Sequence, residues 1–312
     1  MPLDPEVKVL LDQMAAMNMP PIHSLQPAMA RAMFDGMPAQ QPAKPAARVE
    51  DRTVPGAAGD LAARVYANPG DVGTLVFFHG GGFMIGNIET HNEACHALAA
   101  AGGCSVVSVA YRLAPEDVFP AAPEDCYAAT AWIAAHGREL GVDTSRLAVG
   151  GDSAGGNLSA VVSILARDRG GPKIALQLLI YPAVDMAFSS YPSARENGSG
   201  FGLETADADY FTRYYAPEAS QHGDVRLSPI GAASHAGLPP ALIQTAEFDP
   251  LRDQGPAYAA KLRAAGVAAT CTCYDGMIHG FYQFGPEWPA RIQAVAEAGA
   301  ALRRALAGVA VA

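Results

Sequence analysis

Gly151-Asp152-Ser153-Ala154-Gly155 is the stretch on which the fold turns. It fits the pattern G-x-S-x-G. The residues before it, 146–149, form a short apolar run that reads as a strand. Those after it, 154–169, read as a helix. A strand that turns sharply into a helix, with small residues on both sides of a serine, forces that serine into a strained backbone conformation at the carboxyl edge of a sheet. The helix N-terminus behind it favours developing negative charge.

Working outward, the chain reads as alternating strands and helices. Thr74–Phe78 and 105–110 are continuous apolar runs, as expected for strands covered on both faces. Residues 61–65 alternate like a half-buried strand. Helices are expected at 123–136, 254–265 and 289–307, and strands at 174–181, 241–245 and 268–274. This alternation implies βαβ units and a mostly parallel sheet flanked by helices, an α/β fold.

Directly after the strand at 74–78 lies His79-Gly80-Gly81-Gly82-Phe83. Three successive glycines contribute no packing, but they let backbone N–H groups approach a ligand closely. An acyl-transfer oxyanion needs such donors. Gly80, Gly81 and Ala154 are expected to supply them, with His79 orienting the loop. A serine nucleophile also needs a base, and the base needs an acid. Of the eight histidines, His279 is bracketed by glycines just past a strand. Asp249 follows another strand, thirty residues earlier, so both should emerge at one sheet edge. Asp253 and Glu247 are the alternative acids. The order Ser153, Asp249, His279 is the chain order of the α/β-hydrolase triad.

These motifs, together with Tyr111-Arg112-Leu113-Ala114-Pro115-Glu116 and Asp249-Pro250-Leu251-Arg252-Asp253, resemble the bacterial hormone-sensitive-lipase family of esterases across essentially the whole chain. The resemblance implies an α/β-hydrolase fold with a helical cap. It also implies hydrolysis of short- to medium-chain carboxylic esters through Ser153, Asp249 and His279, with no metal or organic cofactor. In that light Glu116 joins Asp152 as a carboxylate supporting the elbow and nearby loops. A homodimer is compatible with the resemblance. An amidase or peptidase with the same triad is the alternative activity, and a catalytically silent ligand receptor is the alternative class.

The 312 residues suggest two domains at about 100–200 residues each. The motifs run from His79 to His279, so one sheet must gather them. The surplus falls at 1–45 and 185–235, expected to be two parts of one cap. The catalytic core is then 46–184 and 236–312. In the first part, helices are expected at 5–18 and about 25–37, the second capped by Ser24, followed by a connector at 38–47. The second part is rich in aromatics. Phe34, Phe83, Met84, Phe188, Phe201, Leu203 and Phe211 are the candidates for the substrate pocket.

Half of the residues are hydrophobic, enough for a large core, so global disorder is excluded. The net charge of −10 disfavours nucleic acid as a partner. No apolar run is long enough for stable membrane insertion, and no secretory signal is expected. Five scattered cysteines argue against a disulfide framework and for a cytoplasmic protein. Cys271 and Cys273, two apart in a strand, are expected to be buried thiols on one face.

Overall fold

The computed structural model describes residues 2–37 and 40–308. Residues 38 and 39 of the expected connector lie outside them. The strands are β1 (Arg48–Pro55), β2 (Asp60–Ala67), β3 (Thr74–Phe78), β4 (Ser105–Val109), β5 (Leu147–Asp152), β6 (Ile174–Ile180), β7 (Ala241–Phe248) and β8 (Ala269–Ile278). The helices are α1 (Pro5–Ala16), α2 (Pro27–Asp35), α3 (Asn92–Gly102), α4 (Ala121–His136), α5 (Ala154–Asp168), α6 (Pro192–Glu196), α7 (Thr205–Tyr215), α8 (Gln254–Ala264) and α9 (Pro289–Leu306).

The eight strands form one sheet in the order β1-β2-β4-β3-β5-β6-β7-β8. From β4 to β8 every neighbouring pair is parallel, while β2 runs antiparallel to both β1 and β4. Side chains of β3 alternate between two cores. Leu75 and Phe77 pack with α3 and α9, whereas Val76 and Phe78 pack toward α4 and α5. A strand with a core on each face needs apolar residues at every position, which is why β3, β4 and β5 are buried throughout.

Some elements differ from expectation. β1 is mostly polar and exposed, an edge strand whose hydrophobic signal is too weak to read. Helix α3 was not anticipated either. It is buried on most sides, so its small residues show little periodicity. Ser24 does not cap α2. It ends a single 3-10 turn (Ile22–Ser24), its hydroxyl donates to the Pro21 carbonyl (2.7 Å), and Gln26 precedes the Pro27 that opens the helix. Cys271 is only partly buried and Cys273 is exposed, because β8 is the outermost strand. Among the described residues, no helix is long and apolar enough to cross a membrane.

Candidate active site

Strand register brings the distant residues together. Phe248 of β7 pairs with Ile278 of β8, and the next residue on each strand is Asp249 and His279 respectively. Ser153 follows β5, two strands away in the same parallel sheet. All three leave at the carboxyl edge. His279 Nε2 lies 3.0 Å from Ser153 Oγ, and His279 Nδ1 lies 2.7 Å from Asp249 Oδ2. A carboxylate only accepts, so the proton sits on Nδ1 and the Nε2 lone pair faces the serine. Asp249 is fully buried, and its Oδ1 accepts from the Leu251 amide at 2.8 Å. Of the alternative acids, Asp253 turns to Arg252 and the Ser193 amide, and Glu247 accepts from the Gly276 amide.

The elbow is tight. Ser153 has φ +53°, a left-handed value for a residue with a side chain. The residues two positions to either side, Gly151 and Gly155, must be glycine. A Cβ on Gly155 would stand 1.9 Å from the Phe78 carbonyl oxygen, and one on Gly151 would stand 2.3 Å from the same atom. These contacts draw the start of α5 against the end of β3. The Ala154 amide, first in α5, has no partner within the helix.

The glycine loop corrects one assignment. The Gly80 amide donates to Asp152 Oδ1 at 2.9 Å and is therefore engaged. The amides of Gly81 and Gly82 meet no acceptor among the described residues. The sequence pattern marks three glycines but cannot say which amide the carboxylate behind the elbow occupies. His79 packs beneath the loop. Buried and stacked on Tyr111, it donates from Nδ1 to the Gly80 carbonyl at 2.8 Å. Burial, with His91 nearby, pushes its pKa down to about 4, so the ring stays neutral.

Ser153, His279, Gly81 and Gly82 open into a cavity of about 170 Å³ with mostly apolar walls. Phe34, Phe83, Phe188, Leu203 and Phe211 line it. Met84 does not. It is fully buried beside Ala30 and Tyr210, while its neighbour Ile85 reaches the cavity instead. Phe201 turns away to pack on Phe248, with ring centres 5.0 Å apart. Unforeseen walls come from Met14 and Ile22 on one side and Met186 and Phe284 on the other.

A match to the family described as the alpha/beta hydrolase fold covers residues 75–283. The carboxylesterase NlhH of Mycobacterium tuberculosis is 42% identical over 97% of this chain and 96% of its own. The esterase LipI of the same organism is 42% identical over 86% of each chain. A hyperthermophilic esterase from Pyrobaculum calidifontis superposes with a TM-score of 0.91 at 42% identity, covering 97% of this chain and 98% of that one. The chain belongs to the bacterial hormone-sensitive-lipase family of esterases. It is a serine carboxylic ester hydrolase with the α/β-hydrolase fold.

Asp152 and Glu116, two carboxylates of this esterase given one role by the resemblance, have different surroundings. Asp152 is buried and accepts from the Gly80 amide and from Gln283 Nε2 (3.0 Å), with His91 Nε2 at 3.2 Å from Oδ1. Burial opposes its charge, but His91, together with His79 and His279, outweighs that and holds the carboxyl below its ordinary pKa. Gln283 also accepts from the Tyr181 hydroxyl (2.7 Å), and the Tyr181 ring packs against His279. His91, Tyr181 and Gln283 carry no motif signal. Glu116, in contrast, does not support the elbow. It is exposed and pairs with Arg31 of α2, which lowers its pKa. Its partner lies 85 residues away, beyond the reach of local reading.

Proposed function

We propose that Ser153 is the nucleophile, His279 the general base and acid, and Asp249 the residue that fixes the imidazole. The carrying observation is the continuous chain of contacts Asp249–His279–Ser153, at 2.7 and 3.0 Å, beside the amides of Gly81 and Gly82, which meet no acceptor among the described residues, and the Ala154 amide at the start of α5. Ser153 Oγ attacks the ester carbonyl carbon while its proton passes to His279 Nε2. Asp249 stabilises the resulting imidazolium. The carbonyl oxygen gains the negative charge and is held by the N–H groups of Gly81, Gly82 and Ala154. Collapse expels the alcohol, which takes the proton from His279. Water then enters by the same route, and His279 returns a proton to Ser153 as the acid leaves. Each oxyanion donor is worth about 10²–10³ in kcat.

The proposed substrates are short- to medium-chain esters. A small apolar cavity walled by Phe34, Phe188 and Phe211 supports that class. The segments 1–45 and 185–235 are proposed as the two parts of a cap over a core of 46–184 and 236–312. They supply Phe34, Ile22, Leu203 and Phe211 to the cavity and bond to each other through Tyr210 Oη and the Leu25 carbonyl (2.9 Å). A homodimer through the β8 edge and a cytoplasmic location complete the reading. The edge position of β8 and the three buried free cysteines Cys95, Cys104 and Cys126 support these. Sedimentation of the purified chain checks the dimer.

Ser153→Ala is expected to abolish turnover of p-nitrophenyl butyrate and to leave the far-UV circular dichroism unchanged. Retained turnover overturns the assignment. A series of p-nitrophenyl esters of increasing chain length locates the substrate optimum, and matched esters and anilides separate esterase from amidase action.

A further inference from the structure

The loop carrying the free amides is strained and is pinned from outside. Gly81, Gly82 and Phe83 take φ of +115°, +57° and +62° in succession. Left-handed backbone at a phenylalanine persists only where its surroundings enforce it. Within the loop, the Met84 and Ile85 amides close onto the Gly81 carbonyl at 3.0 and 2.9 Å. From outside, the Phe83 ring stacks on Tyr215, and the Ala114 amide donates to the Phe83 carbonyl at 2.9 Å.

A further constraint comes from Arg31, a side chain of α2. Its Nε donates to the Met84 carbonyl (2.8 Å), Nη2 to the Ala114 carbonyl (2.5 Å), and Nη1 and Nη2 to the Glu116 carboxylate. The guanidinium thus ties together the two segments that the Ala114–Phe83 bond joins, and adds α2 as a third. One turn further along α2, Phe34 faces the cavity. The helix that touches the substrate space is therefore the helix that anchors the oxyanion loop.

We propose that Arg31 is a positioning residue through which α2, packed over a bound ester, fixes the Gly81 and Gly82 amides. This rests on the oxyanion assignment made above. A substrate chain against Phe34 holds α2 in place. Arg31 then holds the Met84 carbonyl, and the turn closed on Gly81 keeps its geometry. Binding energy gathered away from the ester bond is thereby realised in kcat and not in KM. The fork of Arg31 is needed because three acceptors at different angles must be met at once, which a lysine ammonium does not match.

The test compares the full-length chain with Arg31→Ala, Arg31→Lys and Glu116→Gln on p-nitrophenyl acetate and hexanoate. Rates are expressed per serine titrated by a fluorophosphonate, so a reduced folded fraction does not enter. For Arg31→Ala, kcat on the hexanoate is expected to fall about 10- to 100-fold with KM within about threefold. Inhibition by butylboronic acid, whose serine adduct is a tetrahedral anion, should weaken by the same factor. The kcat advantage of hexanoate over acetate should shrink. Arg31→Lys should stay close to Arg31→Ala, and Glu116→Gln should lose less than either. A kcat per titrated serine within twofold of wild type in Arg31→Ala, or a change confined to KM, overturns the proposal. If Arg31→Ala does not fold, Glu116→Gln carries the same test, with an unchanged kcat and boronate affinity as the overturning result. Wild-type enzyme that is not labelled at Ser153 overturns the nucleophile assignment itself; labelling with unaltered kcat overturns only the role of Arg31.

Discussion

The two sides of the cavity are held by different means. On the reacting side, Gly151 and Gly155 meet a backbone carbonyl too closely for any side chain, His79 and Asp152 are buried, and Phe78 and Gly151 are paired in the sheet. On the covering side, α1 and α2 each bury one residue fully, Val7 and Ala30. There polar ties reach across the chain, among them Arg31 to Glu116 and to the Met84 and Ala114 carbonyls, and His23 Nδ1 to Asp207 Oδ1 (2.8 Å), besides the Tyr210–Leu25 bond. A partly exposed ion pair such as Arg31–Glu116 contributes about 0–1 kcal/mol. Position is thus enforced by backbone packing where bonds are made and broken, and by exchangeable polar ties where substrates must enter.

Gly155→Ala probes the first side most severely. Its Cβ would collide with backbone and not with a movable side chain tip, so a loss of about 4 kcal/mol or more is expected in urea denaturation. Wild-type stability in this variant would break the comparison. His79→Asn tests the same region more gently, because the amide can still donate to the Gly80 carbonyl. Folded His79 titrates near pH 4, against an ordinary 6.5. Between those values the unfolded chain binds a proton that the folded chain refuses. Its contribution is therefore complete above pH 6.5 and is lost as pH falls toward 4, by on the order of 3 kcal/mol. His79→Asn should flatten the acid limb of the stability curve by that amount. An unchanged limb would show that His79 is not the proton acceptor. Phe34→Ala, on the covering side, is expected to change selectivity more than stability. The hexanoate-to-butyrate ratio of kcat/KM should fall roughly tenfold as the longer chain loses its contact with α2, with unfolding free energy altered by about 1 kcal/mol. A large loss of stability would mean that the covering helices are as integral as the elbow.

The same division explains what the sequence disclosed. Ser153, Asp249 and His279 each follow a strand directly, so their placement is encoded in local pattern plus parallel register. The free amide of Gly82 was not legible because Gly80 is claimed by Asp152, which is 72 residues away and acts through a side chain. Met84 and Ile85 are equally apolar neighbours. The loop leading to them passes through positive φ at Gly81, Gly82 and Phe83, and it is Ile85 that lines the cavity. The resemblance groups Glu116 with the elbow and nearby loops, yet its partner is Arg31 in α2, 85 residues away in the chain.

The bond between His23 and Asp207 spans 184 residues. During synthesis α1 and α2 leave the ribosome ahead of every strand they will rest on, and ahead of α7, with which they share the cavity wall. Until Tyr210 has been added, Leu25 lacks its hydrogen-bonding partner. These early helices are thus among the last to find their place, and Val9, Met17 and Met29, still exposed in the finished fold, are among the apolar groups the growing chain carries through that interval.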